Sequence, residues 1–419
     1  MNTVIQEVLI EKVKPYFKNA KDHPKNQIKK IAASIKEFGF NQPIVADKEG
    51  IIIVGHGRYL AALSLGIEEV PVIYVDLDAE RATAYRLADN KLNESDWDME
   101  IVIEELKTLS LQMVDLTGFN SDLILETKED SPDISNIGKA RSEVGDIYQL
   151  GRHKLICGDS CEEETYKKLL ENEKVRLVFT DPPYSVDYQS PAGLNYASTK
   201  FGGTGGRIFN DDKTPQEALE FYIKALKNIY NYSTDDSTLY WWYALKLHAI
   251  NEQAWIQSGY HFSQSVMWLK NSPIYSLGQL YHRIYEPCMV GWKEGKTHYF
   301  NRELSNLNEL WTLDKKTFQD YIDGWLRKRD NTQKYIHPTQ KPVQLAERAL
   351  KRSSEKNDLV LDAFGGSGSV LIACEQLDRN CRMIELDPKY CDAIVQRYCQ
   401  YKEDYTIMKN GKEIQWIIK

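Results

Sequence analysis

The sequence predicts an α/β protein, with a small mixed domain over residues 1–95, a helical tail and linker over 96–142, and a larger open sheet over 143–419. Length is the first observation, since 419 residues are too many for one average domain. The second is alternation. From about residue 143 onward, short buried-strand runs succeed helical stretches, the pattern of a largely parallel sheet. The third is a break: ETKEDSPDISNIGKARSE, residues 126–143, is polar and lacks apolar periodicity, as an interdomain connection does.

In chain order, QPIVAD, IIIVGHG and VPVIYVDL read as strands, and QIKKIAASIKEFGF and RYLAALSLG as helices. WDMEIVIEELKTLSLQMV continues as the helical tail. Beyond the break, LICGDS, VRLVFTDPPY, NDLVLDAF and NCRMIELD are strands running into turns or acidic residues. HPTQKPVQLAERAL opens an amphipathic helix, and YEPCMVGW is a further apolar strand.

With 42 % hydrophobic and 27 % charged residues, the composition is that of an ordinary globular chain. No apolar run of about 18 residues occurs, so no membrane span is expected. The N-terminus carries acidic residues inside its apolar stretch and no small-residue cleavage site, which points to a cytoplasmic protein. The 7 cysteines form no Cys-x-x-Cys pair, which fits reduced thiols and argues against a metal site. The net charge of −8 leaves any nucleic-acid contact to local basic patches. Between Gly324 and Arg352, eight Lys or Arg stand against two acidic residues; such a run is either a solvated helix face or a DNA-facing surface.

VRLVFTDPPYSVDY is an apolar strand running straight into a proline-locked turn. Ligands of an open parallel sheet collect beyond the carboxyl ends of its strands, so chemistry is expected here. Pro182 and Pro183 fix the backbone and remove two N–H donors. The turn therefore offers acceptors, the Asp181 carboxylate and the Pro182 carbonyl, beside the aromatic face of Tyr184. That set suits a flipped-out base, held by stacking and by hydrogen bonds to its amine. Taken alone, the four residues are equally a strand that ends in a turn.

NDLVLDAFGGSGSVLIACEQL reads as strand, glycine-rich turn and helix. Gly366 and Gly368 let the backbone approach a ligand at the helix start, after Asp362 and Phe364. Glu385 ends the next strand 23 residues beyond Asp362, a spacing suited to ribose hydroxyls. The turn is neither Gly-x-Gly-x-x-Gly nor a P-loop, so S-adenosylmethionine fits better than a dinucleotide or a nucleoside triphosphate. Thr339 and Lys341, just upstream, are candidates for its methionine carboxylate. Asp159, at the end of LICGDS, is a candidate for its adenine amine or a surface cap.

These residues resemble the DNA amino-methyltransferases, which modify adenine N6 or cytosine N4, over roughly residues 143–405. Asp181-Pro182-Pro183-Tyr184 is similar to the family's catalytic tetrad, Phe364-x-Gly366-x-Gly368 to its cofactor loop, and His337–Pro342 and Glu385 to neighbouring motifs. Tetrad before loop is the circularly permuted order of the β class, with target recognition between them, within 270–335. The resemblance implies a Rossmann-like, seven-stranded mixed sheet, S-adenosylmethionine as cofactor, and double-stranded DNA as partner. It also implies a homodimer, common among permuted members. Asp in the first tetrad position favours adenine, with cytosine N4 as the alternative.

Two other features read as structural. Cys288 in YEPCMVGW lacks an activating context and is expected in the core, and FGGTGG at 201–206 reads as a flap over the base. Residues 5–95 resemble the ParB-like N-terminal domain. Gly55-His56-Gly57-Arg58 then fills that family's phosphate-contacting turn, Arg58 offering a bidentate fork. The arginine box of the partition members is thinner here, and the reading is a DNA-docking or dimerisation module. A non-catalytic DNA-binding protein is the competing class for the whole chain.

Overall fold

The computed structural model describes residues 4–17, 23–92, 97–132, 139–184, 213–274, 280, 283–302, 304, 307–312 and 341–417. The chain divides into two compact units, Met1–Leu125 and Glu126–Lys419.

In the first unit the apolar runs form β1 (Ile5–Leu9), β2 (Ile44–Ala46), β3 (Ile52–Val54) and β4 (Glu69–Tyr74), and the amphipathic stretches form α1 (Lys25–Phe38), α2 (His56–Leu65) and α3 (Ala79–Leu92). The strands make one mixed sheet in the order β1-β4-β2-β3. Ile44, Ile52, Val70 and Val72 bury against Ala62 of α2. The helical tail becomes two helices, α4 (Met99–Leu106) and α5 (Leu111–Thr117), the second capped by the Ser110 hydroxyl. By its contacts this tail belongs to the first unit, which therefore extends 30 residues beyond the expected end at 95, to Leu125.

The second unit is built on an eleven-stranded sheet, counted among the described residues. Its strands are β5 (Ile147–Leu150), β6 (His153–Cys157), β7 (Val175–Thr180), β8 (Ser233–Trp242), β9 (Tyr260–Ile274), β10 (Arg283–Lys293), β11 (Leu310–Trp311), β12 (Leu359–Asp362), β13 (Asn380–Glu385), β14 (Thr406–Lys409) and β15 (Lys412–Gln415). Between them run α6 (Glu163–Leu170), α7 (Pro215–Tyr232), α8 (His248–Gln257), α9 (Val343–Ser353), α10 (Ser369–Gln376) and α11 (Pro388–Lys402). The order is β11-β9-β10-β8-β7-β12-β13-β6-β5-β14-β15.

Strands β8, β7, β12, β13 and β6 run parallel, and β10 is antiparallel to both β8 and β9. The central seven strands are the Rossmann-like mixed sheet expected. Short β11 and the antiparallel β5 and β14–β15 hairpin extend it at either edge. Central strands such as β7, covered on both faces, are apolar almost throughout. Helix α7 starts on a full capping box between Thr214 and Glu217, with Pro215 at the first helical position. Cys288 lies buried in β10 as expected, and burial pushes its thiol up, away from the reactive thiolate.

Gly291 in β10 marks how closely the antiparallel edge is packed, because a Cβ there would fall 1.9 Å from the His261 carbonyl oxygen and 2.7 Å from the Trp255 ring. Gly291→Ala is expected to destabilise the second unit by about 1–3 kcal/mol. A urea unfolding midpoint equal to that of the parent would contradict this packing.

Candidate active site

The parallel strands all point their carboxyl ends to one edge, and four of the five deliver a polar group there. Strand β7 ends at Thr180 and passes into Asp181; β12 ends at Asp362, β13 at Glu385, and β6 leads to Asp159. Thr180 donates from its hydroxyl to Asp362 Oδ1 at 2.9 Å, and the Phe364 N–H reaches the same oxygen at 3.2 Å. Asp362 thus braces the two central turns, and burial raises its pKa well above the usual carboxylate range. The Tyr222 hydroxyl donates to the Pro183 carbonyl at 2.9 Å, fixing the proline turn against α7.

Asp181 lies in a small cavity it shares with Phe179, Asp362, Phe364, Gly366 and Lys341. Its Oδ2 accepts from Lys341 Nζ at 2.5 Å. Its Oδ1 is buried and, among the described residues, has no hydrogen-bond partner. A buried acceptor left so costs about 1–3 kcal/mol, which makes it a ready receptor for an incoming N–H donor. Lys341 also donates to the Tyr184 hydroxyl at 3.0 Å and pairs with Glu286 Oε2 at 3.3 Å. Behind it, Lys270 pairs with Glu286 Oε1 at 2.6 Å and sits 3.2 Å from the centre of the Trp268 ring.

These charges set one another. Burial raises the Asp181 carboxyl, and Lys341 offsets this only in part. Burial works the same way on Glu286, but Lys341 and Lys270 together bring it down to about 2. Burial would lower Lys341, yet its two carboxylates hold it above the ordinary lysine value. Lys270, with Glu286 as partner, is brought down by burial to about 8. The three donors of the Lys341 ammonium are thus engaged by Asp181, Glu286 and Tyr184, and the same side chain lines the cavity with Phe364 and Gly366 of the glycine turn.

The glycine turn has the backbone its sequence requires. Gly366 has φ +52° and Gly368 φ +80°, and a Cβ on Gly366 would meet little but its own turn, so the loop face is open for a ligand. Glu385 accepts the Gly366 N–H at Oε2 (2.7 Å) and the Asp387 N–H at Oε1 (2.8 Å), which turns its carboxylate to the same face with acceptor capacity left for ribose hydroxyls. These groups fit an adenosine ligand. The Asp159 Oδ1 accepts from the Cys161 N–H at 2.8 Å, the local cap read as its alternative role.

In the first unit, Gly55 (φ +103°) opens α2. His56 faces inward: its Nε2 accepts the Tyr16 N–H at 3.1 Å, and burial, with the charge of Arg86, brings it down to about 4. The Arg58 guanidinium donates to Gln42 Oε1 at 2.9 Å and to the Pro43 carbonyl at 3.3 Å, while its Nε is buried without a partner among the described residues. Gly57 packs against Ile31. Thr339, His337, the FGGTGG loop and half of 270–335 lie outside the described residues. Glu286 and Lys270 escaped the sequence reading; the only signal was a charge inside each of two apolar strand runs.

The DNA methylase family, of N6 and N4 specificity, matches residues 175–396, and the ParB N-terminal domain matches residues 1–91. The chain is 27 % identical over 261 residues to the Type II methyltransferase M.HinfI of Haemophilus influenzae, covering 59 % of this chain and 68 % of that one. It is 42 % identical over 64 residues to the ParB-like nuclease domain-containing protein YnaK of Escherichia coli K12, covering 15 % and 74 %. Among solved structures, the M1.HpyAVI–SAM complex is 20 % identical with a TM-score of 0.40, over 58 % of this chain and 98 % of that one.

Glu385 gives this site a pH signature. Burial raises its carboxyl from 4.5 to about 7, against the pull of the Asp387 and Gly366 amides. Between those values the folded chain keeps a proton that the unfolded chain has released. The stability contributed at Glu385 is therefore expected to fall as pH rises through this window and to be lowest above 7. Glu385→Gln is expected to remove that part of the slope in unfolding free energy measured from pH 4.5 to 7.5. A parent-minus-variant difference independent of pH would rule the shift out.

Proposed function

Because the chain belongs to the DNA methylase family of N6/N4 amino-methyltransferases, and carries a ParB-like N-terminal domain, we propose that it methylates adenine N6 in duplex DNA at a specific site. As a member of that family it is a DNA methyltransferase dependent on S-adenosylmethionine. When bound, S-adenosylmethionine supplies the electrophilic methyl group.

The residues of this chain do the rest. The Asp181 Oδ1, buried and without a partner among the described residues, on a side chain that lines a cavity at the end of β7, is the observation that carries the reading. An exocyclic amine is a poor nucleophile while its lone pair is spread into the ring. Hydrogen bonds from its two protons to Asp181 and to the Pro182 carbonyl favour the pyramidal amine and free that lone pair. Tyr184 stacks on the base, worth about 1–3 kcal/mol, and so offsets the cost of leaving the duplex. Lys341 sets a positive charge beside Asp181 without entering the chemistry itself. Gly366, Gly368, Phe364 and Glu385 hold the nucleoside of the cofactor, with Asp159 at its adenine, so that the enzyme contributes mainly orientation and charge placement. Asp rather than Ser at the head of the tetrad supports adenine over cytosine N4. In the first unit, Arg58 at the Gly55–Gly57 turn would contact a backbone phosphate.

Purified protein incubated with mixed-sequence duplex DNA and S-adenosylmethionine is expected to yield N6-methyladenine in the digested nucleosides, read by mass spectrometry. N4-methylcytosine instead would keep the mechanism and reverse the base assignment. Asp181→Ala is expected to lower kcat by about 10²–10³ or more while leaving cofactor affinity near the parent value. An equal loss of cofactor affinity would show that Asp181 serves the cofactor and not the amine.

A further inference from the structure

The segment that reads as a connection between domains is not slack where it enters the second unit. Four consecutive residues each bond to the catalytic scaffold. Thr127 donates from both its N–H and its hydroxyl to Glu347 Oε2 in α9, each at 2.6 Å. Lys128 exchanges two backbone bonds with the Gln376 amide in α10, at 2.7 and 2.9 Å. Glu129 Oε1 accepts the Gln344 N–H in the first turn of α9 at 3.2 Å. The Asp130 carboxylate takes Arg397 Nε of α11 at 2.7 Å and also its Nη2.

Arg397 carries the contact inward. Its side chain is 1 % exposed, and the edge of its fork away from Asp130 donates from Nη1 to the Ser367 carbonyl at 2.7 Å and to Ser369 Oγ at 3.2 Å. Ser367 lies between Gly366 and Gly368, the two left-handed glycines of the cofactor loop. A loop with two such residues has many other conformations available, and the bond from Arg397 to its central carbonyl joins the Gly365, Gly366 and Gly368 N–H bonds in holding this one. The planar guanidinium suits the task, because it grips a carboxylate with one edge and the loop with the other.

We propose that residues 127–130 are a strap belonging to the cofactor site, in which Asp130 and Arg397 are positioning residues. They fix the loop around Ser367, and with it the Gly366 N–H that orients Glu385, for the nucleoside half of S-adenosylmethionine. This rests on the cofactor reading above. The strap touches no substrate; it acts through the shape of the loop.

The test uses the full chain, with S-adenosylmethionine binding followed by calorimetry and methylation kinetics measured in parallel. The double variant Asp130→Ala/Arg397→Met removes both buried charges together, so neither is left unpaired. Arg397→Lys keeps a cation beside Asp130 but cannot reach the loop with a second edge. Both are expected to weaken cofactor binding at least tenfold and to raise KM for S-adenosylmethionine to match, with KM for DNA and kcat at saturating cofactor within threefold of the parent. A merely structural role would lower kcat through the folded fraction and leave KM unmoved. Cofactor affinity within twofold of the parent in either variant overturns the proposal. A parent chain that binds no S-adenosylmethionine would instead sink the cofactor reading, and the strap with it.

Discussion

A carboxylate in a pocket sheltered from water stays ionised only beside a positive charge, and that charge in turn needs neighbours of its own. The catalytic end of the sheet is arranged around this constraint. Asp181 is set at the end of a buried strand, Lys341 neutralises it, Glu286 holds Lys341 from the far side, and Lys270 closes the row at the Trp268 ring. Alternation of sign along the row lets four ionisable groups lie together where any one of them alone would be expelled or neutralised. Apolar side chains of similar size would often serve stability as well or better, so the row is best understood through the acceptor it maintains. Pro182 and Pro183 keep that acceptor from collapsing onto the backbone, since neither offers an N–H to it.

Much of this was legible in the residues. The parallel strands, the proline turn, the glycine loop and the acidic strand end each have a local cause that acts within about ten residues, and each was found where expected. What stayed hidden is what depends on partners far apart in sequence. Glu286 and Lys341 are 55 positions apart and meet only because β10 lies antiparallel beside β8. Lys341 reads in sequence as a candidate for the methionine carboxylate; in space it pairs with Asp181 and Glu286 and lines the cavity that Asp181 shares with Gly366. The same limit applies to the polar stretch from residue 126. Without periodicity it reads as a linker, and only the folded positions of Glu347, Gln376 and Arg397 reveal that four of its residues are fastened.

The edges of the large sheet are the parts least specified by motif. Neither β5 nor the β14–β15 hairpin belongs to a signature segment, yet together they cover the flank of β6, which would otherwise present unpaired N–H and C=O groups. Lys409 of the hairpin pairs with Asp146 just ahead of β5 at 2.7 Å, and Asn410 donates to the same carboxylate at 2.7 Å. On the opposite flank the two residues of β11 pair with β9.

The walls of the charged row are indoles. Trp242 lies 5.1 Å from the Lys341 ammonium, Trp268 lies beneath Lys270, and the two rings meet edge to face at 6.3 Å. A cation held at the face of an indole displaces its excited-state levels, so the emission of these tryptophans depends on where the ammonium groups stand. The molecule thereby carries an optical gauge of its own electrostatics, with no label attached. A ligand that draws Lys341 away from Asp181 changes the field at Trp242, and a Lys341→Met chain loses that part of the response while Lys270 stays at the Trp268 face.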